Sequence, residues 1–141
     1  MVRLVIDGGA KLATLRRDAI ARVNARAGEV RGRYITIAPG QEMIYLGKEA
    51  EALRWLASAA PDLQDYPFLA AEVGITAPTP QALAELWRDM AAQWRVVGSA
   101  IEQARLGAVA AIEGGVSAGA IAAAVAGWEA AAAAFEALAD A

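Results

Sequence analysis

"LAELWRDMAAQWRVVGSAIEQARLGAVAAI", residues 83–112, decides the fold. Its residues Leu83, Trp87, Met90, Trp94, Val97, Ile101, Ala104 and Ala108 follow one another at spacings of 4, 3, 4, 3, 4, 3 and 4. A mean period of 3.5 keeps one stripe of a helix facing a partner helix, so this is a heptad seam. Large residues near its start and alanines near its end imply a closer approach at that end. Thr79 is a natural N-cap, and Pro80 sits at the first helical position, where its missing amide hydrogen costs nothing. From there no breaker stands before Gly98, a single glycine tolerated at roughly 1 kcal/mol relative to alanine. The helix runs to the Gly114–Gly115 pair. Two tryptophans seven residues apart on such a seam read as helix packing rather than as an aromatic binding cage.

Beyond the seam, Ser117 caps a last helix to about Asp140 that carries Ile121, Val125, Trp128, Phe135 and Leu138 along one side. These can face the seam within the chain as a C-terminal hairpin, or the long helix can pair with copies of itself. The predicted assembly interface is therefore Leu83, Trp87, Met90, Trp94, Val97, Ile101, Trp128 and Phe135. A helix of more than thirty residues is about 50 Å long, more than a compact domain of this size covers on one side. Part of its stripe is expected to need a partner.

On the N-terminal side, Leu12, Leu15, Ala19, Val23 and Ala27 recur at helical spacing over Lys11–Ala27, with Arg16, Arg17, Arg22 and Arg26 mostly off that stripe. Gly28 and Gly32 are read as ending this basic amphipathic helix. An extended segment is expected at Arg33–Ile37 and a helix from Gln41 to about Ala59. Met43, Ile44, Leu46, Ala50, Leu53 and Leu56 are read as the buried side of that helix, and Lys48, Glu49, Glu51 and Arg54 as its wetter side. Pro61 is a stop, a short helix is expected around Pro67–Val73, and Gly74 is its cap. The expected fold is all-α: four to five helices with a long C-terminal helical hairpin and minimal β near residues 2–6 and 34–37. Its parts are an N-terminal arm (1–10), a helical domain (11–113) and an alanine-rich C-terminal helix (114–141).

The composition argues against catalysis. Of 141 residues none is histidine or cysteine, which removes the commonest acid/base group and metal ligand, the thiolate nucleophile and any disulfide. Ser58, Ser99 and Ser117 have no histidine to activate them, and the two lysines, Lys11 and Lys48, sit in no catalytic motif. "IDGGAK" and "EGGVSAG" lack the phosphate-cradle spacings and read as turns. Asp62, Asp65 and Glu72 are read as turn-makers and caps rather than cation ligands. No enzyme activity, cofactor or metal is expected. The N-terminus has no signal-peptide core, and the longest uncharged run, Gly114–Trp128, falls short of a membrane span.

Charge is unevenly placed. Residues 1–33 hold eight of the thirteen basic residues and three of the sixteen acids, leaving 5 − 13 = −8 for the remainder and −3 in total. Such asymmetry suits a basic arm for nucleic acid or an acidic surface, and equally a head-to-tail contact between copies. No aromatic residue interleaves the arginines before Tyr34, so nucleic-acid binding is possible on Arg16, Arg17, Arg22 and Arg26 but not favoured.

Three pieces in order, "PGQEMIYLGKEAEA" (39–52), "YPFLAAEVGIT" (66–76) and the helix ending "IEQARLGAVAAI" (101–112), resemble small phage and prophage proteins of alphaproteobacteria that are tail or tail-fibre associated. The resemblance covers about residues 11–113 and carries no defined site. It implies a non-enzymatic virion or virion-assembly role in a phage or phage-like particle, with other virion or tail proteins as partners, and the long seam helix adds the expectation of a homo-oligomer. The chain would sit in the host cytoplasm during assembly and then in the virion. Two alternatives stand beside it: a tail-fibre assembly chaperone absent from the mature particle, and a small basic-arm regulator that binds nucleic acid.

Overall fold

The computed structural model describes residues 8–141, so the extended segment expected at residues 2–6 lies outside it. The described residues are all-helical: α1 (Gly8–Gly32), α2 (Gln41–Ala57), α3 (Pro67–Glu72), α4 (Pro80–Glu113) and α5 (Ala118–Ala139), with a short 3₁₀ turn at Leu63–Asp65. They contain no strand, only an isolated bridge between Val73 and Ala77. The capping residues read from the sequence do their work: the Thr79 Oγ1 accepts from Ala82 N–H at 3.1 Å, and the Ser117 Oγ accepts from Ala120 N–H at 3.0 Å.

The extended segment expected at residues 34–37 is corrected. α1 runs through Gly28 to Gly32, because Val30 continues the stripe of Ala19, Val23 and Ala27 and is completely buried. Burying a valine outweighs the roughly 1 kcal/mol that an interior glycine costs. The backbone beyond is satisfied by turns rather than by a strand neighbour. Tyr34 and Ile35 N–H groups both donate to the Arg31 carbonyl, at 3.0 and 3.1 Å, and Thr36 N–H donates to the Tyr45 hydroxyl at 3.2 Å.

The chain divides into two compact units, the described residues up to Ile35 together with Gly98–Ala141, and Thr36–Val97. In the first unit α1 packs along α5. Arg16 donates to the Gly115 carbonyl, Arg26 reaches Glu129 and Glu136, and Arg33 reaches Glu136 and Asp140. Residue numbers rise together along these pairs, so α1 and α5 run parallel. Against the second half of α4 they run the opposite way: Arg31 pairs with Glu102 at 2.6 Å and Asn24 accepts from Arg105 at 2.8 Å. Ile101, Ala108, Ile112, Ile121, Val125, Trp128 and Ala132 complete the buried hydrophobic set. Leu138, placed on the α5 stripe by its spacing, is exposed.

In the second unit α2, α3 and the first half of α4 surround Ala52, Tyr66, Leu69, Leu83, Ala84 and Trp87. Here the expected sides of α2 are exchanged. Met43, Leu46, Ala50 and Leu53 are exposed, Ile44 and Leu56 half-buried, and Glu51 and Ala52 buried. The cause is local pairing. Glu51 accepts from the Phe68 and Leu69 N–H groups at 3.0 and 2.9 Å, the first two donors of α3 after Pro67, which has none. Lys48 pairs with Glu72 at 2.5 Å and lies 5.0 Å over the Trp87 ring. A charge so met is cheap to cover. Gly47 allows the same approach, since a Cβ there would come within 2.5 Å of the Phe68 ring.

Candidate interaction surfaces

The residues of the predicted seam divide by environment. Leu83 and Trp87 are buried in the second unit and Ile101 in the first; Trp94 and Val97 are half-buried and Met90 is 55% exposed. Trp128 is buried on α5 and Phe135 half-buried. The two tryptophans that the spacing treats alike therefore differ: Trp87 is buried with Lys48 of α2 over its ring, and Trp94 is half-buried. Among the described residues the Trp128 Nε1 is a buried donor with no hydrogen-bond partner.

The basic face divides as well. Arg16 caps the end of α4, donating from Nε and Nη2 to the Gly115 carbonyl at 3.2 and 2.7 Å. Arg26 is held by Glu129, Glu136 and Glu29. Its hydrogen bond to Glu129 raises its pKa against a partial loss of solvation, and Glu136 adds to the rise. Arg17 and Arg22 are exposed and have no such partner among the described residues. The physical reason for the ladder is helix polarity. Parallel helices bring two negative carboxyl ends together, and Glu136 and Asp140 add charge there; Arg26 and Arg33 of α1 offset both. Much of the charge asymmetry of the sequence is thus used within the chain.

Glu102 is the most perturbed acid. Hydrogen bonds from Arg105 at 2.6 and 2.8 Å, with further help from Arg31, hold its pKa down at about 2. A carboxylate depressed in the folded state contributes stability that is present above its unfolded pKa, near the ordinary value of about 4.3. That contribution is lost as pH falls through the window from there to about 2. Glu102→Gln should therefore flatten the acid limb of the melting temperature against pH between those values; an unchanged limb would contradict the assignment. Burial works against ionising Glu72, but the Lys48 and Thr76 hydrogen bonds outweigh it and lower its pKa.

An open trough of about 430 Å³ runs between α1 and α5, floored by Leu15, Ala19, Ile121 and Val125, with Asp18, Arg22 and Glu129 among its lining residues. No cluster of three or more acidic residues that could hold a metal occurs among the described residues. Asp62 serves as a cap, accepting from Gln64 N–H at 3.0 Å. By length and composition α5 is apolar enough to cross a membrane, yet its Glu129 and Glu136 are committed to Arg26.

What stands out instead is apolar surface. Ile37, Met43, Leu46, Leu53, Ile75, Leu86, Met90 and Val96 are exposed in the second unit, against Leu106, Val116 and Leu138 in the first. The exposed large apolar residues are concentrated in the second unit. The α2 stripe was legible as apolar in the sequence, but only the pairing of Glu51 and Lys48 shows that it faces outward. In comparisons with known proteins, no protein-family model matches the chain, and neither a curated protein nor a solved structure matches it.

Proposed function

We propose that the protein is a non-enzymatic structural or interaction component of a phage or phage-like particle, tail or tail-fibre associated, that works through helix-mediated assembly. The observation that carries this reading is the ordered resemblance of residues 39–52, 66–76 and 101–112 to small phage tail-associated proteins. These pieces supply most of α2, all of α3 and about the last third of α4. The exposed apolar residues of the Thr36–Val97 unit support it, since a part that assembles must keep such surface available.

Within this reading α4 and α5 form the helical hairpin, and the heptad seam on α4 is filled partly by the chain and partly by neighbours. Support comes from α1, which runs antiparallel to the end of α4 and parallel to α5, and from Gly115. A Cβ at Gly115 would come within 2.9 Å of Ile121 and 3.2 Å of the Ile112 carbonyl, as a tight reversal requires. Against the regulator alternative, Arg16 and Arg26 of the basic face are engaged within the chain, so phosphate binding there would have to compete with those contacts, while Arg17 and Arg22 stand exposed.

The reading is tested by removing the protein from a producing phage or prophage. Genome replication and host lysis should be unchanged, while electron micrographs show particles with absent or defective tails. Normal particles, or a defect in transcription instead, would contradict it.

A further inference from the structure

The exposed face of α2 has a pattern of its own. Met43, Leu46, Ala50, Leu53 and Ala57 are all exposed and lie at spacings of 3, 4, 3 and 4. This is the a/d repeat of a helix that packs against another helix. The stripe cannot turn inward. On the opposite side of α2, Ala52 is fully buried, Glu51 holds the start of α3, Lys48 lies between Glu72 and Trp87, and Trp55 meets the Tyr66 ring edge-on at 5.2 Å. Rotating the helix to hide Met43 and Leu46 would break all four.

We infer that this face is a self-association surface, on which two copies of the chain pair their α2 helices parallel and in register. Charge chooses the occupant and the direction. At 100° per residue Glu42 and Glu49 lie on one flank of the stripe and Arg54 on the other. In a parallel pair each Glu49 meets the partner's Arg54, five residues further on, the geometry by which flanking charges set orientation. An antiparallel pair would instead set the Glu42–Glu49 flank against the same acidic flank of the second copy. Both groups are already oriented by their own chain. Arg54 lies 4.8 Å over the Tyr66 ring, and Glu49, its side chain 18% exposed, pairs with Arg95 through Oε1. The contact is isologous, so it closes as a two-fold dimer.

The inference stands on the α2 surface alone and not on the phage reading. Sedimentation of the full chain over a concentration series should show a monomer–dimer equilibrium. Leu46→Lys, at a position 69% exposed in the single chain, should keep the helical signal and raise the dissociation constant by about tenfold or more, as the loss of a buried leucine at each copy requires. Glu49→Arg and Arg54→Glu should each weaken self-association, and mixing the two variants should restore it, because every mixed contact is again opposite in sign. A monomer at all concentrations, association indifferent to Leu46→Lys, or a mixture no tighter than either variant alone would overturn the proposal. A solution monomer that still enters particles by this face would make a different virion protein the occupant, and would sink self-pairing while leaving the assembly role intact.

Discussion

Trp87→Ala should lower the stability of the Thr36–Val97 unit by about 3–5 kcal/mol, the usual cost of truncating a buried tryptophan. That is a large part of the ~5–15 kcal/mol that holds a small domain together. Trp87 is 6% exposed and shares a core with Ala52, Tyr66, Leu69, Leu83 and Ala84, and its ring is the platform for Lys48. Truncation would leave a cavity under α2 and release the lysine that pairs with Glu72. Thermal melting followed by circular dichroism, with hydrogen exchange over residues 36–97, reads the loss directly. Trp94→Ala, at a half-buried position one heptad on, should cost clearly less. Equal costs would mean that the seam is a uniform core after all.

The second large effect is expected at Glu51. Replacing it with leucine keeps the volume roughly constant and adds apolar surface at a site only 4% exposed, so a hydrophobic account alone predicts stabilisation. The structure predicts the opposite. The Phe68 and Leu69 N–H groups would lose their only acceptor, and each buried donor left unmet costs about 1–3 kcal/mol. Glu51→Leu should thus destabilise by about 2–5 kcal/mol, with early exchange of the α3 amides. A variant as stable as the parent would show that water reaches the start of α3.

These two residues also mark what the sequence could disclose. Helix positions were legible from local chemistry: Thr79 and Pro80 start α4, Ser117 starts α5, and Gly74, at φ 86°, follows α3. The stripe on α1 was legible because no charged residue competes with it. On α2 the same logic failed, since polarity ranks Met43 and Leu46 above Glu51 for burial. Only the three-dimensional neighbourhood shows that a proline-started helix needs the acceptors of Glu51. Gly28 misled for a related reason, its local cost being smaller than the gain from Val30. The charge asymmetry was visible, but its use was not. Whether Arg26 meets phosphate, a second copy or its own Glu136 depends on α1 and α5 being parallel, which no local pattern encodes.

The claim that the protein is a built-in part of a particle, on which the seam and the outward apolar faces converge, is tested most directly by quantitative mass spectrometry of purified particles. The account predicts the chain at a fixed copy number relative to the other tail proteins, unchanged through successive purification steps and high salt. Its absence from particles that nevertheless require it for assembly would contradict that claim and identify an assembly helper instead.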